Sequence, residues 1–368
     1  MNNRKICFVS PNAYPILKNT CYEFAGGAEV QQVLIAQALT ENNFQVSFIV
    51  GKYGGKKTEK INNITVFKSS YEYKTGKLHY VPALSDIFLA LCKANADLYF
   101  LRNPKHLLGV VAYYCQMKKR KFVFSSSIDY DSDLKHIRKK ESIISRTLFL
   151  YGLRRVDRII VQTDKQKRQF EKNFGLNSVL IKNMCPLPSL MPVKESPPVV
   201  LWVGTARENK RPQLLFELAR AIPSLKFRMI IAPGRNERFN KIIKEQCRSV
   251  HNIEFLGFIP YQKINKEYAR ASLLVNTSRW EGFPNTFLQA WANEIPVVSL
   301  EIDPDEVICK HKLGLHSRTF EQMVKDVKLL IENEDLRREM GIYARKYVEA
   351  EHGIKKISRQ YIDLFKNI

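Results

Sequence analysis

The residues best suited to chemistry lie in Trp280–Ala290, which reads WEGFPNTFLQA. The segment follows an apolar run and precedes helical spacing, and Pro284 suits the first position of a helix, where the backbone needs no donor. Free amides at such a helix start can bind oxygen atoms, and the carboxylate of Glu281 can accept hydrogen bonds from sugar hydroxyls or stabilise positive charge at an anomeric carbon. Gln289 lies about two helical turns further on, on roughly the same face. The alternative interpretation is a plain strand–helix turn in which Glu281 complements the helix dipole.

A cluster of three cations follows the apolar run Leu201–Gly204, in the sequence TARENKRP. Arg207, Lys210 and Arg211 stand between this predicted strand and a helix predicted to begin near Pro212. A diphosphate is bound by such a combination: a guanidinium that bonds two oxygens at once, a mobile ammonium and a helix N-terminus. The alternative interpretation is a basic loop that only faces solvent.

Paired glycines, Gly26 and Gly27, precede another predicted helix start in the sequence AGGAE. Glycines at this place allow a tight turn that presents amides to an anion. The segment lacks the GxGxxG pattern, and no acidic residue stands at the usual distance after a following strand, so a nicotinamide cofactor is disfavoured. The alternative is a helix start that needs only a flexible backbone.

Short apolar runs alternate with helical segments along the chain, which predicts mainly parallel sheets covered on both faces by helices. Five prolines in Asn183–Pro198 interrupt this alternation, because proline removes a backbone donor and fixes φ. The predicted strands are Lys5–Ser10, Val46–Val50, Leu98–Leu101, Lys121–Phe124, Arg158–Gln162, Val199–Gly204, Lys226–Ala232, Ile253–Leu256, Leu273–Asn276 and Pro296–Leu300, the last of the series. The predicted helices include Ala28–Asn42, Pro212–Ala221, Phe287–Asn293 and the charged tail from Phe320 onward.

This organisation predicts an α/β protein with two Rossmann-like, doubly wound domains that face each other across a cleft. Ligands of such sheets bind at the carboxyl ends of the strands. We expect a first domain at 1–183, a linker at 184–198, a second domain at 199–350 and a C-terminal helix at 351–368 that packs back on the first domain. The length of 368 residues fits two domains with a core each.

The charge of the chain is strongly basic and unevenly distributed. The net charge is +23, with 30 Lys and Arg against 14 Asp and Glu in residues 1–185, and 29 against 22 in residues 186–368. An acidic partner is therefore expected at the first half. The sequence has no zinc pattern, RNP-type aromatic motif or obvious basic recognition helix, so we predict no nucleic-acid partner.

The seven cysteines show no zinc-binding or redox spacing and are typical of reduced core thiols. The N-terminus has no cleavable signal pattern, and no run of about 18 apolar residues occurs. These features predict a cytoplasmic protein without a membrane span.

Taken together and in this order, the three segments resemble the retaining GT-B glycosyltransferases of family 4, group 1. The resemblance covers most of the chain and is strongest from Val199 to Ser299. A lysine–arginine–proline after the glycine strand and an EGFPNTF turn are similar to a subgroup that often makes surface polysaccharides. The family implies a hexosyltransferase-type enzyme that moves a sugar from a nucleotide-diphosphate sugar, as co-substrate, to a glycan or lipid-linked acceptor with retention. It implies neither a cofactor nor a metal. Sugar-nucleotide 2-epimerases share this fold and are one alternative, and a catalytically silent nucleotide-sugar binder is another.

Position by position, the resemblance implies that Lys210 binds the donor diphosphate. Glu281 matches the first glutamate of the family's E-x7-E pattern and faces the donor sugar, and Gln289 stands where the second glutamate contacts the ribose. An amide can still accept and donate hydrogen bonds there. The implied donor-binding residues are Gly26, Gly27, Gly204, Thr205, Arg207, Lys210, Glu281, Gly282, Phe283, Pro284, Asn285, Thr286 and Gln289.

Three positions depart from the family pattern. The second glutamate is Gln289, and Thr205 replaces the arginine that usually follows the strand-end glycine, so that Arg207 supplies this charge. After the strand Lys121–Phe124 no histidine appears before His136, and Asp129 is our candidate for its place. The catalytic residues predicted in this way are Glu281, Lys210, Arg207 and Asp129.

The sequence DYDSD at Asp129–Asp133 also resembles a metal-binding loop, because carboxylates at alternating positions can hold Mg²⁺ or Mn²⁺. We favour the other interpretation, an acidic loop that pairs with nearby cations, and predict no metal site. The cations expected to pair with it are Lys135, Arg138, Lys139 and Lys140.

Basic segments dominate the middle of the first domain and frame an apolar stretch. Such a surface suits anionic lipid headgroups, since each cation adds about 1 kcal/mol near a membrane. The alternative, which we weigh equally, is a solvated face around a helix packed into the core. The first interpretation predicts a peripheral protein on the inner face of the membrane. The basic segments are Lys118–Lys121, Lys135–Lys140, Arg154–Arg158 and Lys165–Lys172, and the apolar residues are Ile143, Ile144, Leu148, Phe149 and Leu150.

Overall fold

The computed structural model describes residues 4–20, 26–72, 80–189 and 193–368. Positions 190–192 of the predicted linker and Ala25 of the glycine motif lie outside the described residues. The chain forms two compact units. The first contains the described residues up to Met184 together with Lys355–Ile368, and the second contains Cys185–Ile354. The sequence had predicted that the first domain ends at residue 183 and that the C-terminal helix begins at residue 351.

Each unit is built around one sheet of short apolar strands. The strands of the first unit are β1 (Lys5–Val9), β2 (Gln45–Val50), β3 (Thr58–Ile61), β4 (Ile64–Lys68), β5 (Leu98–Leu101), β6 (Lys121–Ser125), β7 (Arg158–Val161) and β8 (Val179–Leu180). Its helices before the second unit are α1 (Tyr14–Leu17), α2 (Gly27–Glu41), α3 (Tyr80–Ala94), α4 (Lys105–Met117), α5 (Leu134–Lys140), α6 (Ile143–Leu153) and α7 (Asp164–Phe174).

The sheet of the first unit has the order β3-β4-β2-β1-β5-β6-β7-β8, and every neighbouring pair is parallel except β3 with β4. This antiparallel hairpin was not predicted. Asn62 and Asn63 link its strands with φ angles of 45° and 66°, which are the left-handed values that a tight hairpin turn requires. The paired asparagines were therefore the sequence signal for the hairpin.

The strands of the second unit are β9 (Val199–Thr205), β10 (Lys226–Ala232), β11 (Ile253–Gly257), β12 (Leu273–Asn276), β13 (Val297–Ser299) and β14 (Gly314–His316). The helices are α8 (Gln213–Ala221), α9 (Glu237–Arg248), α10 (Tyr261–Arg270), α11 (Asn285–Ala292), α12 (Val307–His311), α13 (Phe320–Glu332) and α14 (Glu334–His352), followed by α15 (Ile354–Lys366), most of which belongs to the first unit.

The second sheet is wholly parallel, in the order β11-β10-β9-β12-β13-β14. The strand order therefore reverses between β9 and β12, as it does between β1 and β5 in the first sheet, and this is the doubly wound arrangement predicted from the sequence. The prediction that the strand at Pro296–Leu300 is the last one was wrong. The three residues of β14 form a further edge strand that is too short to show a pattern.

The first and last residues of the second unit lie next to each other. Cys185 forms a parallel bridge with Gly353, and its amide donates a hydrogen bond to the carbonyl of His352 at 2.9 Å. The following helix α15 adds to the core of the first unit, where Tyr361 and Phe365 meet Phe100 edge-on at ring-centroid distances of 6.3 and 6.0 Å. Within the described residues, no helix combines the length and apolar character needed to cross a membrane.

Two helices of the first unit cross at glycines. A Cβ atom at Gly152 of α6 would lie 2.6 Å from the carbonyl carbon and oxygen of Leu108 in α4. A Cβ atom at Gly109 of α4 would lie 2.7 Å from the carbonyl oxygen of Leu148 in α6. Because backbone atoms cannot swing away as side-chain ends do, both glycines are needed for this close approach.

We predict that Gly152→Ala lowers the stability of the first unit. Alanine favours a helix by about 1 kcal/mol over glycine, but the overlap with backbone should exceed this gain and leave a net loss of about 1–3 kcal/mol. All three tryptophans, Trp202, Trp280 and Trp291, lie in the second unit, so their fluorescence follows that unit alone.

Urea unfolding should therefore show an earlier circular dichroism transition without a matching fluorescence change. The control is Gly54→Ala, since a Cβ atom at Gly54 would meet nothing within 4 Å. Equal midpoints for Gly152→Ala and Gly54→Ala would contradict the packing argument.

Candidate functional site

The candidate site of the second unit lies where β9 and β12 run side by side. Both strands are parallel neighbours, and both end at the same edge, where the strand order reverses. The chain leaves β9 through a short 3₁₀ turn at Glu208–Lys210, and it leaves β12 through the segment that leads to α11. The two loops that carry the predicted motifs therefore start from adjacent positions.

Lys210 and Glu281 form an ion pair, the Nζ atom of the lysine donating to Oε1 of the glutamate. The two side chains are 21% and 13% exposed, so neither is fully buried and neither is freely solvated. The structure thus brings together the two charged residues that the sequence assigned to the diphosphate and to the sugar, although they stand 71 positions apart.

Thr277 joins the two loops through its hydroxyl. Its Oγ1 donates to the carbonyl of Lys210 at 2.7 Å and accepts from the indole Nε1 of Trp202 at 2.9 Å. A second link runs from the amide of Arg279 to the carbonyl of Asn209 at 2.8 Å. Sequence reasoning missed Thr277, although a polar residue at the end of an apolar strand was the signal available.

Arg211 has a structural role that differs from the predicted one. Its Nε donates to the carbonyl of Thr277 at 2.7 Å, and its guanidinium also bonds the carbonyl of Ser278 at 3.3 Å and the carboxylate of Glu301 at 2.6 Å. The expectation that all three loop cations serve a diphosphate stays a prediction, and for Arg211 such a contact would compete with these bonds. Arg207 is exposed, and its guanidinium has no hydrogen-bond partner in the described part of the chain.

The residue types at the end of β9 follow from packing. A Cβ atom at Gly204 would lie 2.6 Å from Cη2 of Trp202, so glycine leaves room for this ring. The next residue, Thr205, has a buried hydroxyl oxygen with no hydrogen-bond partner among the described residues. Such an orphaned polar atom is costly, and the donor-binding role of Thr205 stays a prediction.

Helix α11 (Asn285–Ala292) begins two residues before the predicted Phe287–Asn293, but one residue after the predicted first helical position, Pro284. Pro284 is its N-cap, with an extended φ/ψ of −66° and 123°, instead of its first helical residue. Asn285 and Thr286 start the helix, and the N-cap makes no side-chain hydrogen bond to it. Gly282 and Phe283 are buried, and the ring of Phe283 packs against Trp291 and His352 in the core.

Gln289 lies two turns into α11 and is partly buried. Its Oε1 accepts a hydrogen bond from the hydroxyl of Tyr268 in α10 at 3.2 Å. Burial raises the pKa of Tyr268 well above its usual value, so the phenol stays protonated as the donor. The amide nitrogen of Gln289 remains the group available for the predicted ribose contact.

In the first unit, Gly26 is the N-cap of α2 and Gly27 is its first residue. The carboxylate of Glu29 accepts a hydrogen bond from the amide of Gly26 at 3.0 Å, so this helix start is partly satisfied by its own side chain. The neighbouring strand ends carry a buried polar network. Gln32 donates to the hydroxyl of Ser10 at 2.8 Å.

The acidic run after β6 divides its carboxylates among separate partners. Asp129 pairs with Lys165 at 2.6 Å and accepts from Gln166 at 3.1 Å. Asp131 is buried, accepts from the amides of residues 127 and 128, and lies 3.5 Å from Lys105. Asp133 caps α5. Pairing of the acidic run was predicted, but the cations found opposite Asp129 and Asp131 are Lys165 and Lys105, not those of the following basic segment.

Two family models match the chain in succession. Residues 25–185 match the Glycosyltransferase Family 4 model, and residues 191–347 match the model for Glycosyl transferases group 1. An uncharacterized glycosyltransferase of Haemophilus influenzae is 25% identical over 361 residues, which cover 92% of this chain and 95% of that protein.

Solved structures share the whole architecture. A sucrose-phosphate synthase from Thermosynechococcus elongatus superposes with a TM-score of 0.79 at 16% identity, covering 99% of this chain and 98% of that one. A mutant of S. aureus TarM, solved with fondaparinux, alpha-GlcNAc-glycerol and UDP, gives a TM-score of 0.76 at 13% identity, covering 98% and 99%. At these identities the likeness shows the fold, which is GT-B. With the family models covering both units, the chain belongs to the family 4, group 1 glycosyltransferases.

Proposed function

We propose that this protein transfers a sugar from a nucleotide-diphosphate sugar to a glycan or lipid-linked acceptor, with retention of the anomeric configuration, in the synthesis of a surface polysaccharide. The observation that carries the proposal is the ion pair of Lys210 and Glu281 at the ends of adjacent strands. A cation for phosphate and a carboxylate for sugar hydroxyls stand side by side where ligands of such sheets bind.

In this proposal, binding of the donor separates Lys210 from Glu281 and gives each side chain a new partner. The diphosphate takes the ammonium of Lys210, and the hydroxyls of the sugar take the carboxylate of Glu281. The unpartnered guanidinium of Arg207 adds a second cation, and the amides that open α11 supply donors for sugar or phosphate oxygens. Both partners keep an oppositely charged or hydrogen-bonding neighbour throughout, so binding leaves no buried charge without compensation.

The transfer itself needs little covalent help from the protein. The acceptor oxygen attacks C1 of the sugar on the face from which the diphosphate leaves. The bond between C1 and the diphosphate oxygen breaks, and the acceptor proton passes to the leaving phosphate. Lys210 and Arg207 stabilise the negative charge that develops on that phosphate, which is the main form of catalysis available here. Asp129 stays a prediction from the sequence, since Lys165 and Gln166 already engage its two oxygens.

Uridine diphosphate sugars are the first donors to test, because TarM was solved with UDP. The motifs that resemble the polysaccharide subgroup favour a growing glycan, free or lipid-linked, as the acceptor. Consumption of the donor with no acceptor present would instead favour the epimerase alternative.

We predict that UDP stabilises the protein against heat and that Lys210→Ala removes most of this effect. A ligand at 100 times its Kd adds about 2.7 kcal/mol to stability. Loss of the charge-assisted contacts of Lys210 should weaken binding by about 1.5–3 kcal/mol, roughly ten- to a hundred-fold. The measurement is the shift of Tm with UDP concentration.

The matched control is Lys121→Ala, which removes the lysine of the Lys121–Asp157 pair at 2.8 Å in the first unit. It should keep the full shift with UDP. Equal shifts of Tm with UDP in both variants would refute the assignment of Lys210 to the diphosphate.

We predict a different pattern for Glu281→Gln. The variant should bind UDP about as tightly as the wild type, because the carboxylate serves the sugar and not the diphosphate. Its turnover of the UDP-sugar with acceptor should fall by about 10²–10³, the loss typical of one preorganised electrostatic contact. The measurement is kcat from released UDP, beside the Kd of UDP. Unchanged kcat in a preparation that turns over would refute the role of Glu281.

We also propose that the first unit touches an anionic lipid surface. At the start of α6, Ile143 and Ile144 are 73% and 64% exposed, whereas Phe149 of the same predicted stretch is buried. Lys135, Arg138 and Lys139 on the preceding α5 are all exposed. Exposed isoleucines beside cations suit the boundary between lipid headgroups and acyl chains.

The expected result is that the double variant Ile143→Ser, Ile144→Ser sediments with anionic vesicles at least about ten-fold more weakly, since each buried isoleucine contributes about 1.5–3 kcal/mol. Val193→Ser, at a residue of the second unit that is 79% exposed, is the control and should bind like the wild type. Equal binding of the wild type to neutral and anionic vesicles would count against the proposal.

A further inference from the structure

A cluster of three potential metal ligands lies at the far edge of the second sheet. Asp303 follows β13, Cys309 lies in α12 and His316 ends β14. One ligand atom from each residue lies within 4.8 Å of the other two. None of these residues belongs to the donor-binding set, and the sequence motifs gave no sign of them because they are spaced unlike any zinc pattern.

The carboxylate of Asp303 is fixed in position. Its Oδ1 accepts a hydrogen bond from the amide of Ile308 at 2.8 Å, and its Oδ2 accepts from the amide of Cys309 at 3.4 Å. The side chain is only 3% exposed. A carboxylate so far out of water needs a cation or further hydrogen bonds. The Nδ1 atom of His316 lies 4.0 Å from Oδ2, which is too far for a hydrogen bond.

The chemistry of these three groups selects the class of ion. A thiolate and an imidazole disfavour Mg²⁺ and Ca²⁺, whereas a set of sulfur, nitrogen and carboxylate oxygen suits Zn²⁺ and Co²⁺. Ligand atoms around a tetrahedral zinc lie about 3.3–3.8 Å apart, given zinc–ligand bonds of about 2.0–2.3 Å. The observed separations, at most 4.8 Å, would therefore close by about 1.5 Å or less when an ion binds.

The backbone between the ligands is held in costly conformations. Asp305, Glu306 and Lys312 have φ angles of 50°, 61° and 55°, and none of them is glycine. Each such residue costs of order 1–3 kcal/mol, and such strain persists where the surrounding structure serves a site. The nearest lysine on α12 does not fill the place of an ion, because Lys310 pairs with Glu306 at 3.0 Å.

We propose that Asp303, Cys309 and His316 bind a divalent transition metal of the Zn²⁺ class. The three residues supply three of four tetrahedral positions, and water supplies the fourth. Binding displaces the thiol proton of Cys309 to solvent. The ion joins the loop after β13 to β14, and the same loop carries Glu301, the partner of Arg211.

The experiment is a titration of the full-length protein with Co²⁺, which takes the place of Zn²⁺ and reports its ligands by absorbance. The wild type should bind one equivalent with the intense near-ultraviolet band of a cobalt–thiolate bond and visible bands of tetrahedral intensity. Excess Zn²⁺ should abolish both. A wild type that binds Co²⁺ without the thiolate band, or binds none, overturns the proposal.

Variants assign the ligands. Cys309→Ser should lose the thiolate band, and His316→Gln should weaken Co²⁺ binding by more than the roughly 10–100-fold that the loss of a supporting second-layer residue costs. Cys92→Ser, at another exposed cysteine, is the control and should keep the spectrum and affinity of the wild type. Retention of the band by Cys309→Ser, or its loss in Cys92→Ser, refutes the assignment. Far-ultraviolet circular dichroism identifies any variant that fails to fold. If Cys309→Ser does not fold, the Co²⁺ affinity of His316→Gln tests the assignment in its place.

Discussion

The hydrogen bonds that hold the loop after β9 against the loop after β12 are the constraint on which the candidate site depends. The hydroxyl of Thr277 accepts from the buried indole of Trp202 and donates to the carbonyl of Lys210. Arg211 also binds two carbonyls of the opposite loop. Each such bond contributes only about 0.5–1.5 kcal/mol, but a buried donor left without its acceptor costs more than the bond is worth. The two loops therefore keep their register, and Lys210 meets Glu281 as a consequence.

Because of this arrangement, the three cations of the loop after β9 have different roles. Arg211 has a planar fork of donors that bonds two backbone carbonyls and Glu301, so it acts as a fixed part of the scaffold. Lys210 ends in a compact ammonium on a flexible stem, which suits a group that changes partner when a ligand arrives. Arg207 is exposed. Three adjacent cations of similar charge thus have three different environments.

The sequence predicted the elements well where a pattern is repeated over several residues. Apolar runs located β9, β10 and β12 to within one residue, and the reversal of strand order follows from the doubly wound fold. It did not predict β14, which has three residues, or the β3–β4 hairpin, whose strands are half exposed. The sequence also did not predict which groups each side chain would contact. Spacing shows that Arg211 lies near Lys210, but only the folded chain shows which carbonyls a long side chain reaches.

The same limit applies to the candidate metal cluster and to Gln289. Spacing put Gln289 about two turns beyond Glu281 on roughly the same face, yet its side-chain carbonyl accepts a hydrogen bond from Tyr268 of a different helix. Asp303, Cys309 and His316 come together only because β13 and β14 pair in parallel, with Ser299 opposite His316. Contacts that depend on the pairing of separate strands carry no local signature, so a scan for motifs passes over them.

The adjacent backbone of Cys185 and Gly353 has a consequence for how the chain tolerates cutting. The second unit is an insertion whose two ends meet, while α15, beyond it, completes the core around Phe100. Removal of the last fourteen residues would therefore strip an aromatic layer from the N-terminal half and leave the C-terminal half intact. A fragment of residues 185–354 would therefore keep the second unit whole. A single break after Met184 would instead separate α15 from the rest of the first unit.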